Sequence, residues 1–334
     1  MQAKQTLQAL ANPFFVAGHQ VLIGCSIGLA CCPEAGKSVD EALSHAHIAL
    51  AKAKKQLGNH YAVYEPGLKV DVSDSLLMEA ELRQALRNNE LQLMYQPRVD
   101  SQTGRVSSVE GLLRWHHPQR GLQMPADFIP LAERCNLIVP IGYWVVNQAC
   151  NDIGLLAKWG VDDLHVAINL SFHQFKDAKL LATVSHIIQK HQVHPHLLEF
   201  ELTETAVLQE QEEVAAKMKA LQQLGINFAL DDFGTGYSSF SHIQGLPINT
   251  IKIDRSFVKN LLVNRGDQVI VAAIVELAHN LGLTVVAEGV ETCAQAEWLK
   301  IAGCDEMQGF LLSQPLSIEE LCQRLLEEQA IRAY

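Results

Sequence analysis

From Leu91 onward the chain alternates short, β-rich apolar runs with helical stretches, and nearly every run ends in or carries a polar residue. The runs are LQLMYQ (91–96), VSSVEGLLR (106–114), HVAINL (165–170), LLEFEL (197–202), NFALDD (227–232), TIKID (250–254), TVVAE (284–288) and a weaker DEMQGF (305–310). Helical patterns lie over Ile141–Trp159, Ala178–His191, Gln211–Leu224, Asp267–Leu281, Cys293–Ile301 and Ile318–Gln329. Eight strands with interleaved helices over about 250 residues have the size and rhythm of a (β/α)8 barrel. Only a turn centred on Asp100–Gly104 separates the first two runs. That length allows a hairpin and no crossover helix, so the first strand runs antiparallel to the second. The expected fold is an α/β, TIM-like barrel with one reversed strand.

The first 66 residues have a different character. A strand-like run spans Val21–Ala30, and a helical pattern follows over Val39–Leu57, with Leu43, Ala46, Leu50 and Ala53 on one face. Gly58-Asn59 is a C-cap signal, and His60–Tyr64 reads as a short strand. These elements are too few to close a core of their own at this length, so the piece is part of a domain. The polar stretch Asp71–Ser75 then caps a helix from about Leu76 to Asn88. The division is therefore a fragment over 1–66, a linker and helix start over 67–80, and a barrel over 81–330.

Charge and composition narrow the function. Lys and Arg total 26 against 37 Asp and Glu, for a net charge of −11. A duplex-binding surface carries the opposite sign, so DNA is not an expected partner. No apolar run reaches about 18 residues and no signal peptide is visible, which points to the cytoplasm or to the cytoplasmic portion of a longer, membrane-anchored protein. The eight cysteines form no CxxC pair and read as reduced core residues.

The polar groups at the strands are the informative feature. They are Glu110, Asn169, Glu201, Asp231 with Asp232, Lys252, Glu288 and Gln308, while Gln96 closes the reversed strand. Active sites of such barrels lie at the C-terminal ends of the parallel strands, so these side chains converge on one mouth. A lone glutamate there would be a helix cap or a surface ion-pair partner. Five carboxylates in one mouth repel each other, and the single Lys252 cannot neutralise them. Divalent cations can, and an all-oxygen donor set favours Mg²⁺ or Mn²⁺ over zinc. The adjacent pair Asp231-Asp232 suits two ions, the arrangement used for phosphoester hydrolysis. Lys252 could form a Schiff base in another setting, but acidic neighbours keep it an ammonium and oppose that chemistry.

Six segments carry a family resemblance: Glu110-Gly111-Leu112-Leu113-Arg114, Ile168-Asn169-Leu170-Ser171, Glu201-Leu202-Thr203-Glu204, Asp231 to Ser239, Ile251-Lys252-Ile253-Asp254, and Ala287-Glu288-Gly289-Val290-Glu291. In this order they resemble the motifs of EAL-domain phosphodiesterases, over about residues 82–330. The resemblance implies opening of cyclic di-GMP to linear pGpG with two Mg²⁺ or Mn²⁺ ions. It implies metal ligation by Glu110, Asn169, Glu201, Asp231 and Asp232, with Lys252 and Glu288 positioning or deprotonating the attacking water. It also implies that Gln96, Arg114 and Gln308 organise substrate, and that Glu204 with the loop from Phe233 through Gly234, Thr235 and Gly236 couples the metal site to a homodimer interface. Gly111 stands where the family has alanine, a loss of one methyl group beside the ligand Glu110.

Within residues 1–66, Cys25–Ala30 and Ala46–Asn59 resemble the second half of a GGDEF (diguanylate cyclase) domain, with His47 and Ala51 in place of the usual Asp and Tyr. The GGDEF signature loop would lie upstream, where a sensor domain could also precede it. The alternative to hydrolysis is a receptor that binds cyclic di-GMP without cutting it, and such members usually lack several metal ligands. His116-His117-Pro118 reads as a solvated loop, and Gly234-Thr235-Gly236 as part of a lid.

Overall fold

The structure is a computed structural model that describes residues 2–10, 14–16, 19–21, 25–31, 39–54, 60–65, 72–209, 211–234 and 245–332. It divides into two compact units, Met1–Glu81 and Leu82–Tyr334. The first contains helix α1 (Gln2–Leu10), a hairpin of β1 (Phe14–Val16) and β2 (His19–Val21), and a parallel pair, β3 (Ser26–Leu29) and β4 (His60–Val63), joined through α2 (Val39–Lys54). Gly28 on β3 lets α2 lie close: a Cβ there would sit 2.2 Å from the Ala46 carbonyl oxygen. Only a residue without a side chain permits that approach. Helix α3 (Val72–Ala85) spans the division in sequence.

The second unit is the barrel. Its strands are β5 (Leu91–Asp100), β6 (Val106–His117), β8 (His165–Asn169), β9 (Leu198–Thr203), β10 (Asn227–Phe233), β11 (Thr250–Ile253), β12 (Thr284–Ala287) and β13 (Glu306–Met307), while β7 (Gly121–Gln123) folds back on the end of β6. The sheet runs β5-β13-β12-β11-β10-β9-β8-β6 and closes through β5–β6. β5 is antiparallel to both neighbours, and the other pairs around the ring are parallel. The hairpin over Asp100–Gly104 therefore reverses the first strand as its length requires.

Side-chain parity separates two environments. Val109, Ile168, Phe200, Phe228, Ile251, Ile253 and Val285 are fully buried on one face of their strands, as are Ile141, Val184, Leu221 and Val271 on the helices α5 (Ile138–Lys158), α7 (Leu180–His191), α9 (Gln211–Gln223) and α11 (Arg265–Asn280). Each such side chain contributes about 1.5–3 kcal/mol of burial, which places the hydrophobic core between strands and helices. The opposite parity carries Arg98, Glu110, Glu199, Glu201, Asp231, Thr250, Lys252, Glu306 and Gln308, all but Glu306 buried. The lumen of this barrel is polar, whereas branched apolar layers usually fill it.

Three sequence expectations change. Helix α4 (Pro125–Arg134) was not anticipated from the sequence pattern. Pro125 sits in the first turn, where its absent N–H is no loss, and the Asp127 carboxylate accepts from the Met124 N–H at 2.9 Å. His116-His117 is not a loop: β6 continues through both, and buried His117 accepts backbone N–H groups of Gln119 and Arg120 through Nδ1. Cys150, Cys304 and Cys322 are core residues as expected, but Cys31 and Cys293 are exposed. Among the described residues no helix is long and apolar enough to cross a membrane.

Candidate active site

Parallel strands place their C-terminal residues side by side, and one local irregularity sharpens the arrangement. Leu230 pairs with Ile251 and Phe233 with Ile253, so Asp231 and Asp232 together face the single residue Lys252 across the β10–β11 pair. This is a bulge, and Asp232 adopts φ 55° to make it. In a regular strand two adjacent residues face opposite sides. The bulge breaks that alternation at the acidic pair, and the strain of a left-handed non-glycine residue sits at the mouth.

Lys252 is the centre of the cluster. Its ammonium lies 2.6 Å from Glu201 Oε2, 2.6 Å from Glu288 Oε1, 3.2 Å from Asp231 Oδ1 and 3.4 Å from Glu110 Oε2. Burial opposes its charge, but Glu110, Glu288 and Asp231 outweigh that and hold its pKa well above the ordinary lysine value. It is an ammonium, as the sequence implied. The acids split. Burial pushes Glu110 up, yet Lys252 and Arg98 pull it down to about 2. Glu288 is pushed up to about 7 by burial, which Lys252 only partly offsets. Asp232 is also raised, by burial and then by Asp231 and Asp254.

The remaining residues arrange themselves around these. Asn169 Nδ2 donates to Glu110 Oε1 at 2.8 Å. Gln308 Nε2 donates to Glu110 Oε2 at 2.8 Å and to Gln96 Oε1 at 3.0 Å, and Gln96 Nε2 reaches the Ser313 carbonyl. Arg114 shares the Glu110 side of β6, with its Nη1 on the Leu113 carbonyl. Burial lowers its pKa, against the pull of Glu110. Glu204, buried at the start of α8 (Glu204–Gln209), accepts the Gly234 N–H through Oε2 at 3.0 Å, which ties β9 to the segment after buried Phe233. Thr235 and Gly236 lie outside the described residues. Gly111 suits its place: a Cβ there would meet Ile168 Cγ2 at 3.2 Å, tighter than usual.

Sequence reasoning named Lys252 and Arg114 but missed a further buried cation. Arg98 on β5 is 1% exposed and donates through Nη1 to Glu199 Oε1 at 2.7 Å and through Nη2 to Glu201 Oε1. Lys252 is therefore not alone against the acids. The signal was available: Arg98 lies two residues from Gln96, and Glu199 two from Glu201, so strand alternation puts all four on the lumen face.

Comparison with known proteins fits this geometry to a family. Residues 79–315 match the family described as EAL domain. The chain belongs to the EAL family. Residues 1–60 match the diguanylate cyclase GGDEF domain. MucR of Pseudomonas aeruginosa, a bifunctional diguanylate cyclase/cyclic di-GMP phosphodiesterase, is 40% identical over 319 residues, which are 96% of this chain and 47% of MucR. PdeR of Escherichia coli, a cyclic di-GMP phosphodiesterase, is 36% identical over 317 residues, 94% of this chain and 47% of PdeR. The solved MucR phosphodiesterase in complex with c-di-GMP superposes with a TM-score of 0.71 at 43% identity, over 73% of this chain and 99% of that one. The chain thus spans less than half the length of these curated relatives.

The EAL mouth suits hard divalent cations by its donor chemistry. Its side-chain donors are carboxylates and an amide oxygen, and the acidic charge around Lys252 exceeds what Lys252 and Arg98 together balance. In this geometry the oxygens turn to Lys252 and Arg98. Among the described residues no group of three or more His, Cys, Asp or Glu side chains is already arranged as a metal cage.

Proposed function

We propose that this EAL chain hydrolyses cyclic di-GMP to linear pGpG and so lowers the level of that messenger. The observation that carries the reading is the convergence of Glu110, Glu201, Asp231 and Glu288 on Lys252, with Asn169 on Glu110 and Asp232 in the adjoining bulge. Five oxygen-bearing side chains, Glu110, Asn169, Glu201, Asp231 and Asp232, would hold two Mg²⁺ or Mn²⁺ ions. Such ions, when bound, lower the pKa of water and offset charge on a phosphoryl group.

The chain's own residues supply the rest. Linear pGpG keeps a 5′-phosphate, so the bond broken is P–O3′ and the bond made is between water oxygen and phosphorus. Glu288, with a pKa near neutrality, takes the proton released by the attacking water. Lys252 stays charged throughout and stabilises the extra negative charge of the transition state. The proton needed by the O3′ leaving group returns from the protonated carboxyl or from solvent. Gln308 and Gln96 hold the Glu110 side of the mouth, and Arg114 supplies a positive charge for a substrate phosphate. Glu204 holds Gly234, and in our reading this contact couples the site to a homodimer partner. We place the domain limits at 1–66 for the GGDEF-like fragment and 81–330 for the phosphodiesterase, with a sensor domain upstream in a longer protein.

The test is incubation of the full chain with cyclic di-GMP and Mn²⁺, with and without EDTA, followed by chromatography of the nucleotides. Conversion to pGpG that stops on chelation is the expected result. Cleavage in metal-free protein would refute the mechanism, and intact dinucleotide with measurable binding would make the chain a receptor instead.

A further inference from the structure

Arg98 has no part in the roles assigned above, yet it bonds two residues that do. Its three guanidinium nitrogens have three different partners: Nε donates to Gln308 Oε1 at 3.3 Å, Nη1 to Glu199 Oε1 at 2.7 Å and Nη2 to Glu201 Oε1. Glu199 is itself fixed, since its other oxygen accepts from Thr250 Oγ1 at 2.7 Å. The guanidinium is therefore anchored at the lumen floor and extends toward the mouth.

Two consequences follow from donor and acceptor rules. Arginine only donates, so Gln308 must turn its carbonyl oxygen to Arg98, which directs its NH₂ to Glu110 and Gln96. Arg98 also occupies Glu201 Oε1, which leaves Oε2 as the oxygen on the Lys252 side. One buried side chain thereby sets the amide orientation of Gln308 and the carboxylate orientation of Glu201. A lysine could not span three acceptors in this planar fork.

We infer that Arg98 is a positioning residue for the phosphodiesterase site, acting through Glu201 and Gln308 to set how tightly the mouth holds divalent cations. This rests on the reading of the mouth as a metal-dependent hydrolase. Partners behind metal ligands typically change affinity or activity by about 10–100-fold when removed.

A cavity of about 430 Å³ at the floor makes the inference testable by chemical rescue. It is lined by Arg98, Ser108, Glu199, Thr250 and Glu306, and exposed Asp163 lies at its rim. A guanidinium ion can enter there and replace the deleted head group. The experiment compares the full wild-type chain with Arg98→Ala and with the double variant Arg98→Met, Glu199→Gln, which removes the ion pair as a whole and keeps the floor charge balanced should the single variant not fold. Mn²⁺ binding is read from the electron paramagnetic resonance signal of free Mn²⁺, and cleavage of cyclic di-GMP is followed against Mn²⁺ concentration.

The expected result is Mn²⁺ binding weakened about 10–100-fold in the folded variants, the same shift in the half-saturating Mn²⁺ for cleavage, and recovery of Arg98→Ala in millimolar guanidinium. Folded variants that bind Mn²⁺ within twofold of wild type, or that lose turnover with unchanged Mn²⁺ binding, overturn the inference. If wild type binds Mn²⁺ but leaves cyclic di-GMP intact, the hydrolase reading fails separately, and the resonance comparison still decides the place of Arg98.

Discussion

The two ends of the barrel lumen use the same residue types and differ in how their charges close. At the floor Glu199 is answered on both oxygens, by Arg98 and Thr250, and Glu306 accepts from Ser108. At the mouth Glu110, Glu201, Asp231 and Glu288 converge on the one ammonium of Lys252; Glu201 also meets Arg98 and Glu110 also accepts from Asn169 and Gln308, but the negative charges outnumber the cations. A buried acid with complete partners fixes geometry and has little left to offer a ligand. A buried acid in surplus favours a proton or a cation: burial first, and then Asp231 and Glu110, raise Glu288 toward neutrality against the pull of Lys252. Function follows the unbalanced end.

The largest effect comes from removing the cation on which that imbalance turns. Lys252→Met leaves several buried carboxylates without their shared ammonium, and breaking a buried pair costs about 3–5 kcal/mol. Urea unfolding of metal-free protein at neutral pH is expected to show a loss of that order. Divalent cation should offset part of it, since a ligand bound only by the folded state adds stability by mass action. A variant whose stability Mn²⁺ leaves unchanged would break the contrast between the two ends, because the mouth would then behave as a closed network like the floor.

Glu110→Gln is the next in size. It keeps the shape, but one oxygen becomes an NH₂ donor, so the amide keeps only one of the bonds from Asn169 and Gln308, and one charge leaves the mouth. Loss of one preorganised electrostatic group typically costs about 10²–10³ in kcat. The measurement is the rate of cyclic di-GMP cleavage at saturating Mn²⁺, with metal-free unfolding as a control. Because Lys252 and Arg98 stabilise the charged Glu110 in the fold, the variant should lose some metal-free stability as well as turnover, so the rate is read under conditions where unfolding shows it folded. A rate within a few-fold of wild type would remove Glu110 from the metal site.

How much of this was legible beforehand depends on the residue. The strands showed themselves because apolar runs of five to nine residues alternate with helical periods, and the hairpin because its turn is too short for a helix. Glu110, Glu201, Lys252 and Glu288 were readable because a charged residue inside an apolar strand has few other reasons to be there. Arg98 was not found, since it lies on the one reversed strand, where the mouth end is the beginning of the run. The bulge at Asp231-Asp232 was hidden too: register belongs to a pair of strands, and one sequence carries only half of it. Helix α4 went unread: Pro125 suits its first turn, but Pro130 lies inside it, where a proline usually marks a break.

The smallest effect lies beyond the floor, at the hairpin that reverses β5. There Asp100 Oδ1 accepts from the Thr103 N–H at 2.6 Å, the Thr103 hydroxyl at 2.7 Å and the Gln102 N–H at 3.1 Å. These bonds, led by the Thr103 hydroxyl, hold its pKa below the ordinary 3.8. A depressed acid contributes stability that is complete above its unfolded pKa and is lost as pH falls through the folded value. Asp100 is partly exposed at the hairpin, so screening keeps its contribution to about 1 kcal/mol. Asp100→Ala should therefore lose about that much in urea unfolding at pH 7, and the gap to wild type should narrow below about pH 4 as the wild-type carboxylate takes up its proton. Mn²⁺ should leave this gap untouched while it narrows that of Lys252→Met. Equal responses of the two variants to Mn²⁺ would mean that the ion acts on the whole fold rather than at the mouth, and the distinction between the two ends of the lumen would fail.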